Sequence, residues 1–310
     1  MNCEMRPSAA IWPVVRDRFI MRFHMRIGAV NYLNSKPLVC GLDTLSPEVQ
    51  LTYDLPSRLA DSLAAGRLDV ALVPSVEFFR TPGYRVVSDA CVACRGPVLS
   101  VKLYFRVPPN EVRRVALDEG SRTSSALTQI LLAELCGVRP RWETLPIGCG
   151  LASSDADAVL LIGDRAIAGE ERTARSEERG RESFCDVWDL GERWCHWTGL
   201  PFVFAMWVAR ADVDESHVAA VLRAARDEGV RRVEDIAARE AAEMGISREL
   251  ATEYLRDTLH FTLGAHEWAG LRRFYELCVG HDLAPSGLES WCNPFRVDDA
   301  SCARIPRVGR

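Results

Sequence analysis

The chain is predicted to be an α/β protein of two lobes, and three observations predict this class. Strand-like and helix-like segments alternate through the first two thirds of the 310 residues. Between the strand patterns Val49–Leu55 and Leu68–Pro74, a helix begins at Pro56 and ends at Gly66, as helices often do. A second unit of the same kind opens at about Arg113. Strand, helix and strand in that order predict a parallel sheet with right-handed crossovers.

The remaining elements follow from hydrophobic pattern. Arg26–Val30 is the first predicted strand, and Ser100–Val107 closes the first unit. In the second unit, R-R-V-A-L-D is a strand, S-R-T-S-S-A-L opens an apolar-striped helix, and D-A-V-L-L-I-G-D and F-V-F-A-M-W-V-A-R are further strands. From Val213 onward the spacing is helical, including Leu250–Leu259. The chain thus gives two α/β lobes and a helical C-terminal segment.

Domain boundaries are placed where these patterns change. Lobe I is predicted to comprise 25–107 and 208–295, and lobe II to comprise 108–207. Residues 1–24 are expected to be a disordered leader or an over-called translation start, and 296–310 a disordered tail. The charged stretch Glu170–Glu182 has no apolar run, which is typical of a solvated insertion or helix face.

Composition excludes several classes of function. A net charge of −5 and the lack of a dense Lys/Arg tract argue against nucleic acid as a partner. No run reaches the ~20 apolar residues of a membrane span. The first residues do not form a secretion signal, so we expect a cytoplasmic protein. The oligomeric state cannot be predicted.

Cofactor and metal motifs are also lacking. Among eleven cysteines, the pair Cys91 and Cys94 forms a C-x-x-C with no second pair, and the histidines have no ligand spacing. Neither G-x-G-x-x-G nor a P-loop is present. We therefore expect no metal site and no cofactor.

Two clusters of uncharged polar residues are candidate binding sites. Asn34 lies in the polar turn that follows the first strand, and loops at strand carboxyl ends line the ligand crevice of open α/β sheets. Ser121, Thr123 and Ser124 open a helix, where free N–H groups and the dipole favour an anion such as a carboxylate. A plain N-cap at Ser121 is the alternative.

Four other residues are weaker candidates. Ser75 and Glu77 follow the strand Leu68–Pro74 at the end that would face a cleft, although Glu77 also suits the first turn of a helix. Asp164 follows an apolar strand and could be an N-cap, a hydrogen-bond acceptor in a cleft, or both. Ser100 has no G-x-S-x-G setting, so it is not a hydrolase nucleophile, and a turn serine is the alternative.

Four segments, taken together and in order, carry a resemblance to a known family. They are G-A-V-N-Y-L-N-S-K-P-L, L-D-V-A-L-V-P-S-V-E-F, S-R-T-S-S-A-L, and I-G-D-R-A with W-T-G-L-P-F-V-F-A-M-W. Over about residues 26 to 295 the chain resembles the chorismate dehydratases of the futalosine route to menaquinone. The resemblance implies a type II periplasmic-binding-protein fold with a ligand cleft between the lobes, and a reaction without metal or organic cofactor.

The resemblance also implies residue roles. Asn34 and Ser100 would be catalytic, and Ser121, Thr123 and Ser124 would lie against a carboxylate of chorismate. Ser75 and Asp164 are also predicted to bind the substrate, because each follows a strand at the end beside the expected cleft. Chorismate would lose water to give 3-[(1-carboxyvinyl)oxy]benzoate. No general base is evident, so the hypothesis is that a substrate carboxylate takes the proton.

Three alternatives remain open from the sequence. A sister enzyme of the same fold makes 1,4-dihydroxy-6-naphthoate, but N-Y-L-N-S-K-P-L favours the dehydratase. A solute-binding protein without catalysis is compatible with the fold, although no export signal is seen. A regulatory effector-binding domain would need a helix-turn-helix segment, which does not precede the first lobe.

Overall fold

The computed structural model describes residues 25–167, 184–213 and 218–288. The predicted leader at 1–24, the charged stretch Glu170–Glu182 and the tail at 296–310 lie outside these ranges.

Two β-sheets form the centres of the two lobes. The strands of the first sheet are β1 (Met25–Val30), β2 (Val49–Asp54), β3 (Val70–Pro74), β4 (Arg85–Cys94), β10 (Phe202–Ala209) and β11 (Leu259–Thr262), in the spatial order β11-β4-β10-β3-β1-β2. Those of the second are β5 (Val101–Phe105), β6 (Arg114–Asp118), β7 (Arg141–Leu145), β8 (Ala158–Ile162) and β9 (Asp186–Asp189), in the order β7-β6-β8-β5-β9.

The α-helices cover the sheets and continue into the C-terminal segment. Their bounds in the described residues are Leu42–Leu45, Pro56–Ala64, Ser75–Arg80, Arg122–Cys136, Leu190–Thr198, Val218–Arg231, Val233–Met244, Arg248–Glu253 and Ala265–Gly280. A 3₁₀ helix spans Leu33–Val39, and a π-helical turn spans Tyr254–Thr258. None of the described helices is both long and apolar enough to cross a lipid bilayer.

Burial explains why the central strands read as continuous apolar runs. All five residues of β3 and all five of β8 are buried. β1 pairs in parallel with β2 and β3, and β6 pairs in parallel with β7 and β8. Strands covered on both faces need apolar side chains at every position. Because β1 and β3 are parallel, the polar residues that follow them lie at the same end of the first sheet. Those that follow the parallel strands β6 and β8 lie at one end of the second sheet.

The chain crosses between the lobes earlier than the predicted boundaries. β5 pairs antiparallel with β8 and with β9, so Val101–Phe105 belongs to the second lobe rather than the first. β10 pairs antiparallel with β3 and β4, so Phe202–Ala209 belongs to the first lobe. The crossings thus lie between β4 and β5 and between β9 and β10. An apolar strand has the same local pattern in either sheet, and only its long-range pairing decides its membership.

The C-terminal segment is less uniformly helical than predicted. Where Leu250–Leu259 was expected to be one helix, an α-helix ends at Glu253, a π-helical turn follows, and β11 begins at Leu259. β11 pairs with β4, and Leu259 lies opposite Cys94. Four residues are too few to show a period of two against the helical spacing that precedes them. This strand brings the C-terminal segment to the point where the chain first leaves lobe I.

Candidate functional site

The 3₁₀ helix that carries Asn34 is fixed at its start by both lobes. The buried Ser35 hydroxyl donates to the carbonyl oxygens of Val30 and, at 2.9 Å, of Tyr32, which folds the chain back on β1. Asp164 of the second lobe accepts a hydrogen bond from the Leu33 N–H at 3.1 Å. Asn34, the next residue, is half-buried. It is therefore held at the junction of the lobes.

Gly163 connects this helix to Ser100. Its N–H donates to the Ser100 carbonyl oxygen at 2.8 Å, and its neighbour Asp164 holds Leu33. Gly163 has φ +67°, and a Cβ added there would lie 2.9 Å from the Tyr32 ring. Only glycine fits this left-handed turn against an aromatic ring. Through two short contacts, the turn brings Ser100 and Asn34 to the same place.

The loop before Ser100 is held by one carboxylate. Asp189 accepts hydrogen bonds from the Val98 N–H at 3.0 Å, from the Leu99 N–H at 2.7 Å and from the Glu192 N–H at 3.0 Å. Leu99 has φ +59°, a left-handed conformation that is costly for a leucine and common at functional sites. Asp189 thus fixes a strained turn whose next residue is the buried Ser100.

Tyr254 completes the cluster from the C-terminal segment. Its side chain is fully buried, and Ser100 and Asn34 are hydrogen-bonding neighbours that each lower the pKa of its hydroxyl. Burial outweighs them, and the pKa of Tyr254 is raised above its usual value. Neither neighbour meets the distance and angle of a formed hydrogen bond with the hydroxyl. Asn34, Ser100 and Tyr254, from three separate segments, converge on one point.

The ionisable groups around this point are shifted toward their neutral forms. Burial raises the pKa of Asp164 to about 6, against the opposing effects of the Leu33 N–H and the Lys36 charge. Burial, with Asp118 nearby, raises the pKa of Tyr32 to about 12. Asp118 itself binds Arg165 at 2.5 Å. Burial thus disfavours the charged forms of the Asp164 carboxyl and the Tyr32 phenol, and Asp164 changes its charge near pH 6.

The predicted serines and threonine of the helix Arg122–Cys136 lie at a second contact between the lobes. The Thr123 hydroxyl accepts from the Val76 N–H at 3.2 Å and lies 3.4 Å from the Ser75 hydroxyl, which donates to the Val203 carbonyl oxygen at 2.7 Å. Ser75 and Thr123 are both buried. We call this contact the Ser75–Thr123 joint. The hydroxyls of this joint bind the protein itself.

Ser121 and Ser124 pair with one another beside that joint. Ser121 is the N-cap: its hydroxyl oxygen accepts from the Ser124 N–H at 3.2 Å, and the two hydroxyls lie 2.7 Å apart. Between them in sequence, Arg122 bridges to Glu77 at 2.9 Å and to Asp61 at 2.6 Å, both in lobe I. Glu77 is thus partner to an arginine that spans the lobes.

The described part of the chain shows no cluster of metal-ligating side chains. Residues 25–167, 184–213 and 218–288 contain no group of three or more His, Cys, Asp or Glu side chains arranged to hold an ion.

Sequence reasoning did not select Tyr32, Asp189 or Tyr254. Tyr32 was visible within the first polar turn, next to Asn34. Asp189 directly precedes a helix and is its N-cap, but its bonds to Val98 and Leu99 span about ninety positions. Tyr254 lies in a run that reads as an apolar helix face. No local signal marks either of the last two.

Comparisons with known proteins identify the family of this chain. The model of a family described as menaquinone biosynthesis matches residues 25–279. A relative named chorismate dehydratase, from Thermus thermophilus, is 33% identical over 244 residues, which are 76% of this chain and 89% of that protein.

Solved structures identify the fold. Protein AF1704 of Archaeoglobus fulgidus superposes with a TM-score of 0.65 at 14% identity, covering 84% of this chain and 98% of that one. The periplasmic aliphatic sulphonate binding protein SsuA of Escherichia coli gives 0.54 at 16% identity, covering 89% and 97%. A Candida albicans protein with the generic periplasmic binding protein fold gives 0.57 at 12%, covering 85% and 92%.

At such identities the structural matches establish architecture alone, and they confirm the two-lobed periplasmic-binding-protein-like fold. Membership rests on the family match over most of the chain and on the Thermus relative. The chain belongs to the menaquinone biosynthesis family, and the predicted resemblance to chorismate dehydratases is confirmed.

Proposed function

We propose that this protein is a chorismate dehydratase, a carbon–oxygen lyase that removes water from chorismate to give 3-[(1-carboxyvinyl)oxy]benzoate for menaquinone synthesis. The convergence of Asn34 and Ser100 at the lobe junction is the observation that carries the proposal. These are the two residues for which the family resemblance implies catalysis. The Thermus relative is named for the same activity.

The reaction needs positioning more than strong acid or base chemistry. A ring C–H bond and the neighbouring C–OH bond break, the electron pair of the C–H bond completes the aromatic ring, and the proton and hydroxide leave as water. Aromaticity supplies much of the driving force. The site must orient the leaving hydroxyl and exclude water. Amide and hydroxyl groups, with a carboxyl whose pKa is raised to about 6, suit that task.

Residue roles follow from their neighbours. Asn34 and Ser100 hydrogen-bond the ring substituents, and a carboxylate of the substrate takes the ring proton. Ser121 and Ser124 would receive the other carboxylate of chorismate at the helix N-terminus. Ser75 and Thr123, being bonded to the protein, contribute by holding the lobes in register. Asp164 supports Asn34 through Leu33 and borders the substrate.

The two lobes would close over chorismate about the contacts that already join them. The reaction would take place in the cytoplasm, without a metal or an organic cofactor. Closing a site excludes water and completes the set of catalytic groups.

The test is to incubate the purified protein with chorismate, follow the loss of diene absorbance, and identify the aromatic product by mass spectrometry. We expect loss of one water per chorismate. Chorismate that binds and is recovered unchanged would indicate a solute-binding protein. Chorismate that neither binds nor reacts would favour the sister enzyme that makes 1,4-dihydroxy-6-naphthoate.

A further inference from the structure

The hydroxyl of Tyr254 is buried with its hydrogen-bonding capacity unused. Within the described residues it has no partner of acceptable geometry, and the side chain is 0% exposed. Burying an unpaired hydroxyl costs about 1–3 kcal/mol, and folded proteins keep few such groups. A phenylalanine would fill the same space without that cost. The hydroxyl is thus a liability for stability unless something absent from the free protein binds it.

Tyr254 is connected to the first sheet through the short segment that follows it. Tyr254 begins the π-helical turn, and π-helical turns are rare and frequent at functional sites. The turn leads into β11, where Leu259 is paired with Cys94 at the end of β4. From Cys94 the chain runs to Ser100 within six residues. Tyr254 and Ser100 are therefore both tied to the same end of β4.

The neighbours of the hydroxyl are the two residues of the proposed reaction. Ser100 and Asn34 act on the Tyr254 oxygen as hydrogen-bonding groups, and Asp164 and Asp189 act on it through their charges. Because burial raises its pKa, Tyr254 remains protonated at any working pH. Since neither Asn34 nor Ser100 forms a hydrogen bond of acceptable geometry with this hydroxyl, the phenolic proton has no acceptor among the described residues. It then needs an acceptor.

Tyr84 provides a contrast within the same lobe. Its hydroxyl is also buried without a partner of acceptable geometry among the described residues. It directly precedes Arg85, the first residue of β4, and so lies at the opposite end of that ten-residue strand from Cys94. Neither Asn34 nor Ser100 affects it. Tyr84 therefore has the same unpaired group but not the same neighbours.

We propose that the Tyr254 hydroxyl is a third catalytic group, which donates a hydrogen bond to the hydroxyl oxygen that leaves the substrate ring. The inference rests on the proposed function, because the acceptor is the departing oxygen of chorismate. Negative charge grows on that oxygen as the C–O bond breaks, so a fixed donor stabilises the transition state more than the bound substrate. The donor is already desolvated in the free protein.

The experiment compares steady-state turnover of chorismate by the wild type, Tyr254→Phe and Tyr84→Phe, with a thermal melt of each. We expect kcat of Tyr254→Phe to fall by about 10²-fold, as for loss of a single transition-state donor, with KM changed far less. Its melting temperature should equal or exceed that of the wild type, because only an unpaired hydroxyl is lost. Tyr84→Phe should keep the wild-type kcat.

A folded Tyr254→Phe variant with wild-type kcat would overturn the inference while leaving the dehydratase assignment intact. An inactive wild type would overturn both. A second measurement does not depend on the folding of that variant: ¹⁹F NMR of protein labelled at its six tyrosines with 3-fluorotyrosine. Added 3-[(1-carboxyvinyl)oxy]benzoate, whose aromatic ring would lie beside Tyr254, should shift the Tyr254 signal and leave the Tyr84 signal in place. The Tyr254 signal is assigned by substituting the other tyrosines. An unshifted Tyr254 signal would contradict the inference.

Discussion

Two polar clusters join the lobes, and they differ in whether their hydrogen bonds are made within the protein. At the Ser75–Thr123 joint, the hydroxyls bind backbone groups of the opposite lobe or of the adjacent strand. In the Tyr254 cluster, which comprises Asn34, Ser100 and Tyr254, the Tyr254 hydroxyl makes no such bond within the part of the chain that the structure describes. A satisfied buried polar group contributes to stability, whereas an unsatisfied one lowers it. The joint is therefore suited to holding the lobes, and the Tyr254 cluster to binding a ligand.

The largest effect is expected on turnover, when Ser100 of the Tyr254 cluster is substituted. Ser100→Ala should lower kcat for chorismate by about 10²–10³-fold, because a donor aimed at the transition state is lost, while the urea midpoint changes little. Ser88→Ala is the matched control: Ser88 is also a fully buried serine, and its hydroxyl oxygen accepts from the Ala90 N–H within β4. That control should lose some stability and retain kcat. Equal kcat in both variants would contradict the assignment of Ser100.

The second prediction concerns the carboxyl that supports Asn34. Since the pKa of Asp164 is raised to about 6 in the folded protein, the unfolded state holds its proton less firmly. The stabilising effect of the protonated carboxyl is present at low pH and is lost as pH rises from about 4 through 6. At pH 7.5, Asp164→Asn should raise the free energy of unfolding by up to about 3 kcal/mol, since one pKa unit corresponds to about 1.4 kcal/mol.

Urea denaturation from pH 4 to 8 checks this, with the exposed Asp43→Asn as control. The wild type should lose stability relative to Asp164→Asn across the window, and Asp43→Asn should follow the wild type. A constant difference between wild type and Asp164→Asn at every pH would show that Asp164 does not titrate as we infer.

The smallest effect is expected at the joint. Thr123→Val keeps the shape of the side chain but leaves the buried Val76 N–H without its acceptor, so the free energy of unfolding should fall by about 1–3 kcal/mol. In the same helix, Thr128→Val removes only a donor to the Ser124 carbonyl oxygen and should cost less. Both are measured by urea denaturation. The opposite result would be a Thr123→Val variant that keeps its stability while its kcat falls as far as that of Ser100→Ala. That result would indicate that Thr123 binds the substrate instead of joining the lobes.

The sequence was sufficient for the parts of the molecule that depend on local pattern. Local pattern reveals the buried strands β3 and β8 as continuous apolar runs. It also reveals the helix that begins at Pro56 and the polar turn at Asn34, which follows the first strand. The resemblance then identified Asn34 and Ser100 together. Their closeness is a property of the fold, because Asn34 follows β1 and Ser100 precedes β5 of the other sheet.

What the sequence could not supply depends on contacts between distant residues. The sheet to which β5 belongs is decided by its pairing with β8, about sixty residues later. The left-handed conformation of Leu99 follows from the bonds of Asp189 to Val98 and Leu99, and nothing in G-P-V-L-S indicates it. Tyr254 has the spacing of a core residue, and its hydroxyl is informative only because it forms no hydrogen bond within the described structure, although Asn34 and Ser100 adjoin it.

The most direct test of the account is a crystal structure of the protein with 3-[(1-carboxyvinyl)oxy]benzoate bound. We expect the aromatic ring to lie between the lobes, with the ring carbon that lost its hydroxyl facing Tyr254 and with Asn34 and Ser100 in contact with the ligand. A carboxylate should lie against Ser121 and Ser124. A ligand bound away from Asn34, Ser100 and Tyr254 would contradict this arrangement.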